Sequence, residues 1–570
     1  MKKIYALFGA AALLMLGSCA KDAGDDSQPV KGANDFYMTL AIAQPQSTRT
    51  ATTDQGKEVG KDYENTISKA ILVFADEKFE TVTSTNFDVA SAPSTGSDKL
   101  TTHQVTFSME RDVLTTAVGE SASKTFYLFL IANPGNLTTD SFAAGVSVQK
   151  VLEQATDTNV PYWKEDQFLM TNAELTKKEI IKTDINKGTH KTADDAYPLG
   201  TIKVQRAVSR FDIAKDNVTK TFSNEKAPIQ SLTVTFDAVA LVNMAQKFTL
   251  FKVVADNDTN ITNVATTMTL AENNNSYFWG APQETKENYV FSPEQTAWTY
   301  PLFTDGVSGS TASKWKTGNQ KGTMKSLNDP SFKFDSFGEW KDDNDFTHPN
   351  DTQYSGDENY YIWRYCTENT NYDKANQLNG NTTGVIFRAQ MTATELTNEY
   401  GPVYAYNNVV LGNAAALKDY VSEDPEDGLW GSVKYIYDNA VAKVKESYPD
   451  WDEASNDNEE FEIFDEELVK NGFSIYRPTE DGNYYCYYYY WNRHNDNGQP
   501  VDMGPMEFAT VRNNVYKLQV TKIMRLGHPA EPGDDPDEPD PDDPDEEDSF
   551  YCKIECKILP WEVRMNGIEF

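Results

Sequence analysis

The sequence FYCKIECKI at residues 550–558 decides the architecture, because it is a strand-like segment set apart from the rest of the chain. Apolar and polar residues alternate along it, which places one set on a single face: Phe550, Cys552, Ile554, Cys556 and Ile558. An acidic, proline-rich run, EPGDDPDEPDPDDPDEED, precedes it at residues 531–548. Such a run repels itself and forms no core, so it predicts an extended linker that reaches roughly 55 Å at polyproline pitch. The last strand is therefore predicted to reach another subunit; the alternative is an edge strand folded back on its own domain.

The N-terminus has the pattern of a secretory signal. Two lysines precede an apolar stretch, residues 4–16, that is too short to span a bilayer. The stretch ends in LGSC at residues 16–19, which resembles the bacterial lipobox, whose cysteine is lipidated and becomes the mature N-terminus. Cys19 is the predicted lipidation site, and an ordinary signal peptide with a chance cysteine is the alternative. The acidic residues that follow resemble the export tag of Bacteroidetes surface lipoproteins: Asp22, Asp25 and Asp26.

Composition favours a mainly β protein on the cell surface. The chain has 570 residues, enough for two or three domains, and its 30 Tyr, 29 Phe and 10 Trp favour sheets over helices. A net charge of −36 argues against nucleic acid or anionic lipid as a partner. Apart from Cys19 there are four cysteines, too few and too scattered for a disulfide framework.

Alternation also predicts a first strand at residues 36–42, with Phe36, Met38, Leu40 and Ile42 on one face. A polar stretch without apolar periodicity follows and predicts an exposed loop that contains Arg49. Further strands are predicted at residues 70–74, 126–131, 202–210, 231–236, 484–491 and 514–523. Helical spacing predicts one amphipathic helix within residues 428–448, and a domain boundary is placed near residue 200.

Six segments together carry a family resemblance. Besides the lipobox they are FLIANPG at 129–135, VQRAVSRF at 204–211, VALVNMAQKF at 239–248, YYWNRHNDNG at 489–498 and VRNNVYKLQVTKI at 511–523. In order and spacing they resemble the fimbrillins of Bacteroidales, the type V pilus subunits, and in particular the shaft subunits of Mfa-type short fimbriae. The resemblance implies two transthyretin-like β-sandwich domains, with a few helices inserted in the C-terminal one.

The resemblance also implies an assembly mechanism. An arginine-specific surface protease cuts the loop after the first strand, and the Arg49–Thr50 bond matches that position. The first strand then leaves, and the C-terminal strand of a neighbouring subunit takes its place, which gives a head-to-tail polymer. The implied partners are further copies of the chain, anchor and tip subunits, the protease, host receptors, and the outer membrane through the lipid before processing.

The resulting organisation has six parts. These are a signal peptide and lipobox (1–19), a propeptide with the first strand (20–49), an N-terminal β-sandwich with the acceptor groove (50–200), a C-terminal β-sandwich with helical and loop insertions (201–530), an acidic linker (531–548) and a donor strand (549–570).

The alternative functions are a monomeric surface lipoprotein that binds host protein or glycan, and a tip or anchor subunit. No catalytic, cofactor or metal site is predicted, because the sequence has no HExxH, GxSxG or phosphate-binding loop and its five histidines are dispersed. Cys486 and His494 form only a weak nucleophile pattern. Two acidic loops, 256–258 and 342–345, do not complete a calcium-binding loop, so solvated loops are expected there.

Overall fold

The computed structural model describes residues 34–45, 60–89, 94–95, 100–153, 162–186, 188–254, 290–293, 295, 298–304, 323–337, 359–370, 376–397, 399–423, 427–452, 458–494, 503–504, 506–546 and 551–560. Strands predominate over helices in these residues. This confirms the mainly β class expected from the aromatic and β-branched composition.

The N-terminal strands form two sheets that share one strand, except the short strand at residues 151–153, which pairs with residues 247–249. They are β1 (Asp35–Pro45), β2 (Lys69–Ala75), β3 (Thr81–Asp88), β4 (Ser94–Thr95), β5 (Leu100–Glu110), β6 (Ser123–Ala132), β7 (Val151–Glu153), β8 (Met170–Asn172), β9 (Thr176–Ile181) and β10 (Tyr197–Arg206). The strand order is β3-β2-β6-β8-β10-β1-β5-β4, with β9 also paired to β6. The first part of β10 pairs with β1 and its last three residues pair with β8, so β10 passes from one sheet to the other. The core between the sheets includes β2 and β6, which are buried on both faces.

The remaining strands build the C-terminal part. They are β11 (Val208–Ala214), β12 (Thr219–Ser223), β13 (Ser231–Val242), β14 (Met244–Ala245), β15 (Lys247–Thr249), β16 (Val253–Val254), β17 (Val290–Phe291), β18 (Trp298–Thr299), β19 (Asp335–Ser336), β20 (Tyr360–Thr367), β21 (Asn369–Thr370), β22 (Gly384–Thr392), β23 (Val403–Tyr406), β24 (Val409–Val410), β25 (Phe473–Tyr476), β26 (Tyr484–Trp491), β27 (Ala509–Thr510), β28 (Asn514–Ile523) and β29 (Cys552–Pro560). Two sheets, β20-β11-β28-β29 and β12-β13-β22-β26, enclose a second core.

The helices of the described residues are α1 (Asp62–Asn65), α2 (Arg111–Val118), α3 (Lys182–Asn186), α4 (Ala414–Glu423), α5 (Trp430–Ser447) and α6 (Asn458–Lys470). The helix predicted within residues 428–448 is α5, and its inward face carries Val433, Ile436, Tyr437, Ala440 and Val444. Asp427 accepts hydrogen bonds from the backbone N–H groups of Leu429 and Trp430 at the start of α5, which satisfies donors that a helix leaves unpaired. Helices α4, α5 and α6 pack with β23 and β25 around a third, smaller core. No helix of the described residues is long and apolar enough to cross a membrane.

The single strand predicted over residues 202–210 is wrong, because the chain changes sheets at Ala207. Strand β10 ends at Arg206, and β11 begins at Val208 and pairs with β20 and β28. A continuous apolar pattern does not reveal a change of partner, which is why the sequence suggested one strand. The hydrophobic clusters also divide here, between Val208 and Phe211. The six-part division of the chain, with its boundary near residue 200, stays a prediction.

A fully buried ionic cluster joins α1 to β11. Arg210 donates Nε and Nη2 to Asp212 at 2.8 Å each, and Nη1 to both carboxylate oxygens of Glu64 at 3.1 and 3.2 Å. Tyr365 donates its hydroxyl to Glu64, and burial together with the Glu64 charge raises the pKa of Tyr365. The three charged side chains are 0% exposed, so the ion pairs between them offset part of the cost of burying their charges.

Candidate functional site

The first strand lies inside the N-terminal sheet rather than at an edge. Strand β1 pairs antiparallel with β5, where Met38 faces Phe107 and Ile42 faces His103. On its other side it pairs parallel with β10, where Met38 faces Tyr197. Removing β1 would leave β5 and β10 with unpaired backbone groups on both sides of one groove.

The alternation in β1 is matched by its burial. Phe36, Met38, Leu40 and Ile42 are each 0% exposed, whereas Tyr37, Thr39 and Ala41 are half-buried. A strand whose alternate side chains all enter the core is bound by both its ladder and its apolar face. Removing the strand would therefore cost the free energy gained by burying these four side chains.

Three side chains enclose the first apolar residue of β1. The ring of Phe36 lies edge-on to His190, with centroids 5.3 Å apart, and is tilted against Tyr197 at 5.7 Å. The guanidinium carbon of Arg111 lies 5.2 Å from the Phe36 ring centre, within cation–π range. We call this enclosure (Arg111, His190, Tyr197) the Phe36 pocket.

The pocket is held from outside the strand. Arg111 donates Nη1 to the carbonyl of Ile185 at 2.6 Å, and Nη2 to the carbonyl of Thr189. The backbone N–H of Tyr37 donates to the carbonyl of His190 at 2.9 Å. Sequence reasoning missed these residues, since Arg111 and His190 lie far from β1 along the chain and belong to no motif.

The C-terminal tail is folded back on its own domain. Strand β29 pairs antiparallel with β28 at the edge of the sheet, where Cys556 faces Leu518. Cys552, Ile554 and Cys556 are half-buried against the C-terminal core. Burial raises the pKa of the Cys552 and Cys556 thiols to about 12. The edge-strand geometry is the alternative that the sequence left open.

Tyr551 attaches the start of the tail to the domain. Its ring centre lies 4.0 Å from that of His528, and its hydroxyl donates to Asp537 at 2.7 Å. Its carbonyl accepts the backbone N–H of Met524 at 2.9 Å. The tail is therefore held by side chains as well as by the ladder.

The acidic run does not form an extended, solvated linker, and that expectation is wrong for residues 531–546. We call this segment the acidic strap, because it lies against the C-terminal domain with Asp534, Asp535 and Asp545 buried. Its carboxylates form ion pairs and hydrogen bonds with residues far away in the sequence. The Asp534 carboxylate accepts from Arg477 at 2.6 and 2.9 Å.

Further partners hold the rest of the strap. Arg493 donates to Glu546 at 2.7 Å, Asp535 pairs with His528, and Asp545 accepts from Thr382. The backbone also pairs, because Gly380 N–H donates to the carbonyl of Pro541 at 2.9 Å. These partners offset the self-repulsion on which the linker prediction rested.

Several predicted site residues lie outside the described residues: Cys19, Arg49, Thr50 and Phe550, together with the acidic loops 256–258 and 342–345. The backbone of Ile558, in β29, pairs with that of Tyr516 in β28. Assignments of lipidation, cleavage and donor residues stay predictions.

The weak nucleophile pattern is not brought together. Cys486 is 0% exposed, its Sγ lies 3.9 Å from the Tyr488 hydroxyl, and burial raises its pKa to about 12. His494 Nδ1 instead lies 2.9 Å from the Tyr516 hydroxyl. In the part of the chain that the structure describes, no three His, Cys, Asp or Glu side chains are grouped to hold a metal ion.

Residues 482–567 match the family model described as "Major fimbrial subunit protein type IV, Fimbrillin, C-terminal". The match spans β26, β28 and β29, and it confirms the resemblance to the fimbrillin family expected from the sequence.

Two solved structures give weaker likenesses. A fimbrilin from Porphyromonas gingivalis W83 is similar over 92% of this chain and 98% of its own, at 12% identity and a TM-score of 0.34. The tip fimbrial protein Mfa3 from Porphyromonas gingivalis is similar over 92% of this chain and 100% of its own, at 10% identity and a TM-score of 0.31. TM-scores this low do not establish a common fold. A search of curated proteins found no match.

Proposed function

We propose that this protein is a structural subunit of a cell-surface fimbria that polymerises by strand exchange. It is exported as a lipoprotein through Cys19, cleaved after Arg49, and joined to the next subunit when a donor tail replaces β1. The observation that carries the proposal is the position of β1: its alternate side chains are fully buried, it is paired on both sides, and the chain joins it to the rest of the domain through residues 46–59. The fimbrillin match over residues 482–567 supports the same function.

Cleavage after Arg49 would convert β1 from a covalent part of the domain into a bound segment. Its loss would expose the apolar walls of the groove and the unpaired edges of β5 and β10, which face each other across one strand width. An exposed apolar cleft with two open edges binds extended segments strongly, by strand addition. Processing therefore creates the acceptor.

The tail is the matching donor. Among the described residues of the single chain, β29 pairs only with β28, and its apolar side chains are half-buried where they are described. In the groove it would pair on both sides and bury the same face completely. Five apolar side chains contribute about 8–15 kcal/mol before the costs of association and ordering. Exchange from edge to groove is thus favourable in ladder hydrogen bonds and in burial.

The contact between subunits joins two different surfaces. The donor lies in the C-terminal part and the acceptor in the N-terminal part, so the interface is heterologous and each added subunit offers a new site. A heterologous contact that does not close by rotation produces a filament. Anchor and tip subunits at the two ends, and host receptors along the surface, are the further partners of this proposal; an arginine-specific surface protease starts assembly.

The test is the N-terminal residue of protein sheared from cells, together with its size on a denaturing gel without boiling. Thr50 at the N-terminus and a ladder of multiples are the expected results. A lipidated Cys19 on a lone monomer would contradict a shaft role. It would favour an anchor subunit or a surface lipoprotein that binds host protein or glycan as a monomer.

A further inference from the structure

The tail resembles the first strand in sequence. Residues 36–42 read FYMTLAI, and residues 550–556 read FYCKIEC. Both begin with Phe-Tyr and continue with apolar residues at every second position. The shared dipeptide stands at the N-terminal end of each segment, so the likeness has a direction as well as a pattern.

The groove occupied by β1 also has two distinct ends. At the Phe36 end, the pocket offers two aromatic rings and a guanidinium, which together suit the face and edge of a large aromatic ring. At the other end, Ile42 lies beside His103 on β5 and Ile202 on β10. An aromatic side chain fits the first end better than the second.

We propose that the tail of a second copy occupies the groove in the same direction as β1, with Phe550 in the Phe36 pocket. This inference rests on the strand exchange proposed above, and it specifies the register of that exchange. Cys552 then takes the position of Met38, Ile554 that of Leu40, and Cys556 that of Ile42.

The backbone supports this direction. A segment that runs like β1 is antiparallel to β5 and parallel to β10, so it meets every donor and acceptor that β1 satisfies. The N–H of Tyr551 takes the place of the Tyr37 N–H, which donates to the His190 carbonyl. In the reverse direction Ile558 would lie between His190 and Arg111, where an aliphatic side chain forms no cation–π contact.

The native cysteines give a direct test of register. Phe107 faces position 38 and His103 faces position 42, so each variant, Phe107→Cys and His103→Cys, places a thiol opposite a defined site. In cleaved, polymerised protein under mild oxidation, Phe107→Cys is expected to form an intersubunit disulfide with Cys552, and His103→Cys with Cys556. Trypsin separates the two native cysteines by cutting after Lys553, so mass spectrometry identifies the partner.

The outcomes separate this inference from the proposed function. A ladder with the expected disulfides supports both. A ladder in which Phe107→Cys pairs with Cys556 means reversed insertion, and pairing of Val105→Cys with Cys552 means a shift of two residues; either overturns the register. If the protein is cleaved but forms no ladder, the proposed function itself is contradicted.

A second measurement does not depend on the folding of the cysteine variants. A synthetic peptide of residues 549–560 is titrated onto cleaved protein from which β1 has been removed, beside peptides that carry Phe550→Ala or Ile558→Ala. Phe550→Ala is expected to weaken binding about 100-fold or more, because it empties an enclosed aromatic site, and Ile558→Ala is expected to cost less. Equal binding of the Phe550→Ala and unmodified peptides would overturn the inference.

Discussion

Removal of β1 most directly tests whether this strand is an integral part of the N-terminal core. Four side chains of the strand, Phe36, Met38, Leu40 and Ile42, are 0% exposed. Burial contributes about 1.5–3 kcal/mol for each, so their loss removes roughly 6–12 kcal/mol, before any contribution from the ladder. Domains are stable by about 5–15 kcal/mol, so the loss is comparable to the whole stability of a typical domain and should leave the N-terminal domain much less stable.

The assay uses the full chain with a recognition site for a sequence-specific protease introduced within residues 46–59. After cleavage, the strand is separated in mild urea, and hydrogen exchange is followed in β2, β6 and β10. These strands are expected to lose protection, while β13, β22 and α5, which belong to other cores, keep theirs.

The matched control is the same cleaved protein before the urea step, which keeps the strand and should behave like the intact chain. Adding a peptide of residues 34–45 at 100 times its dissociation constant should restore about 2.7 kcal/mol. If the strand-depleted protein unfolds at the same urea concentration as the intact one, then β1 is not part of the core and does not fill a groove in it.

Four further results are expected. Arg210→Met removes the cation between two buried carboxylates, Glu64 and Asp212, and should lower the free energy of unfolding by about 3–5 kcal/mol in urea, whereas Lys434→Met, in an exposed pair, should change it by less than about 1 kcal/mol. Since burial raises the pKa of Cys552 and Cys556 to about 12, iodoacetamide at pH 8 should modify them at least ~100-fold more slowly in the monomer than in urea. Their raised pKa also means that the two buried thiols contribute fully to tail docking below the ordinary thiol pKa and that this contribution is lost as pH rises toward 12; equal docking at pH 8 and pH 11 would contradict this. Arg477→Ala should speed hydrogen exchange in the acidic strap at a cost of about 1–3 kcal/mol, discounted for the partial exposure of Arg477, and unchanged exchange would mean that the Arg477 ion pairs do not hold the strap.

Much of the fold could be predicted from local patterns. The alternation of Phe36 to Ile42 and the helical spacing from Val433 to Val444 each identify an element and its buried face. These patterns succeed because each element buries one face against a core. They do not reveal which strands become neighbours, so the parallel pairing of β1 with β10 was not predicted.

The acidic strap could not be predicted for a related reason. Composition correctly describes a segment that repels itself in isolation, but the cations that bind it, such as Arg477 and Arg493, lie 57 and 53 residues from their partners. The Phe36 pocket was missed in the same way, since Arg111 lies in a helix and His190 in a loop. Long-range pairing of charges and rings carries no local signal.

The two-sided pairing of β1 has a mechanical consequence. A strand peeled from a sheet edge loses its hydrogen bonds one after another, so a small force is enough to remove it. A strand between β5 and β10 that is pulled along its own axis loads both ladders in shear, and many bonds must fail together. In the proposed polymer, a donor strand at that position would resist tension along its axis far better than it resists bending outward, which is the property that a fibre under tension requires.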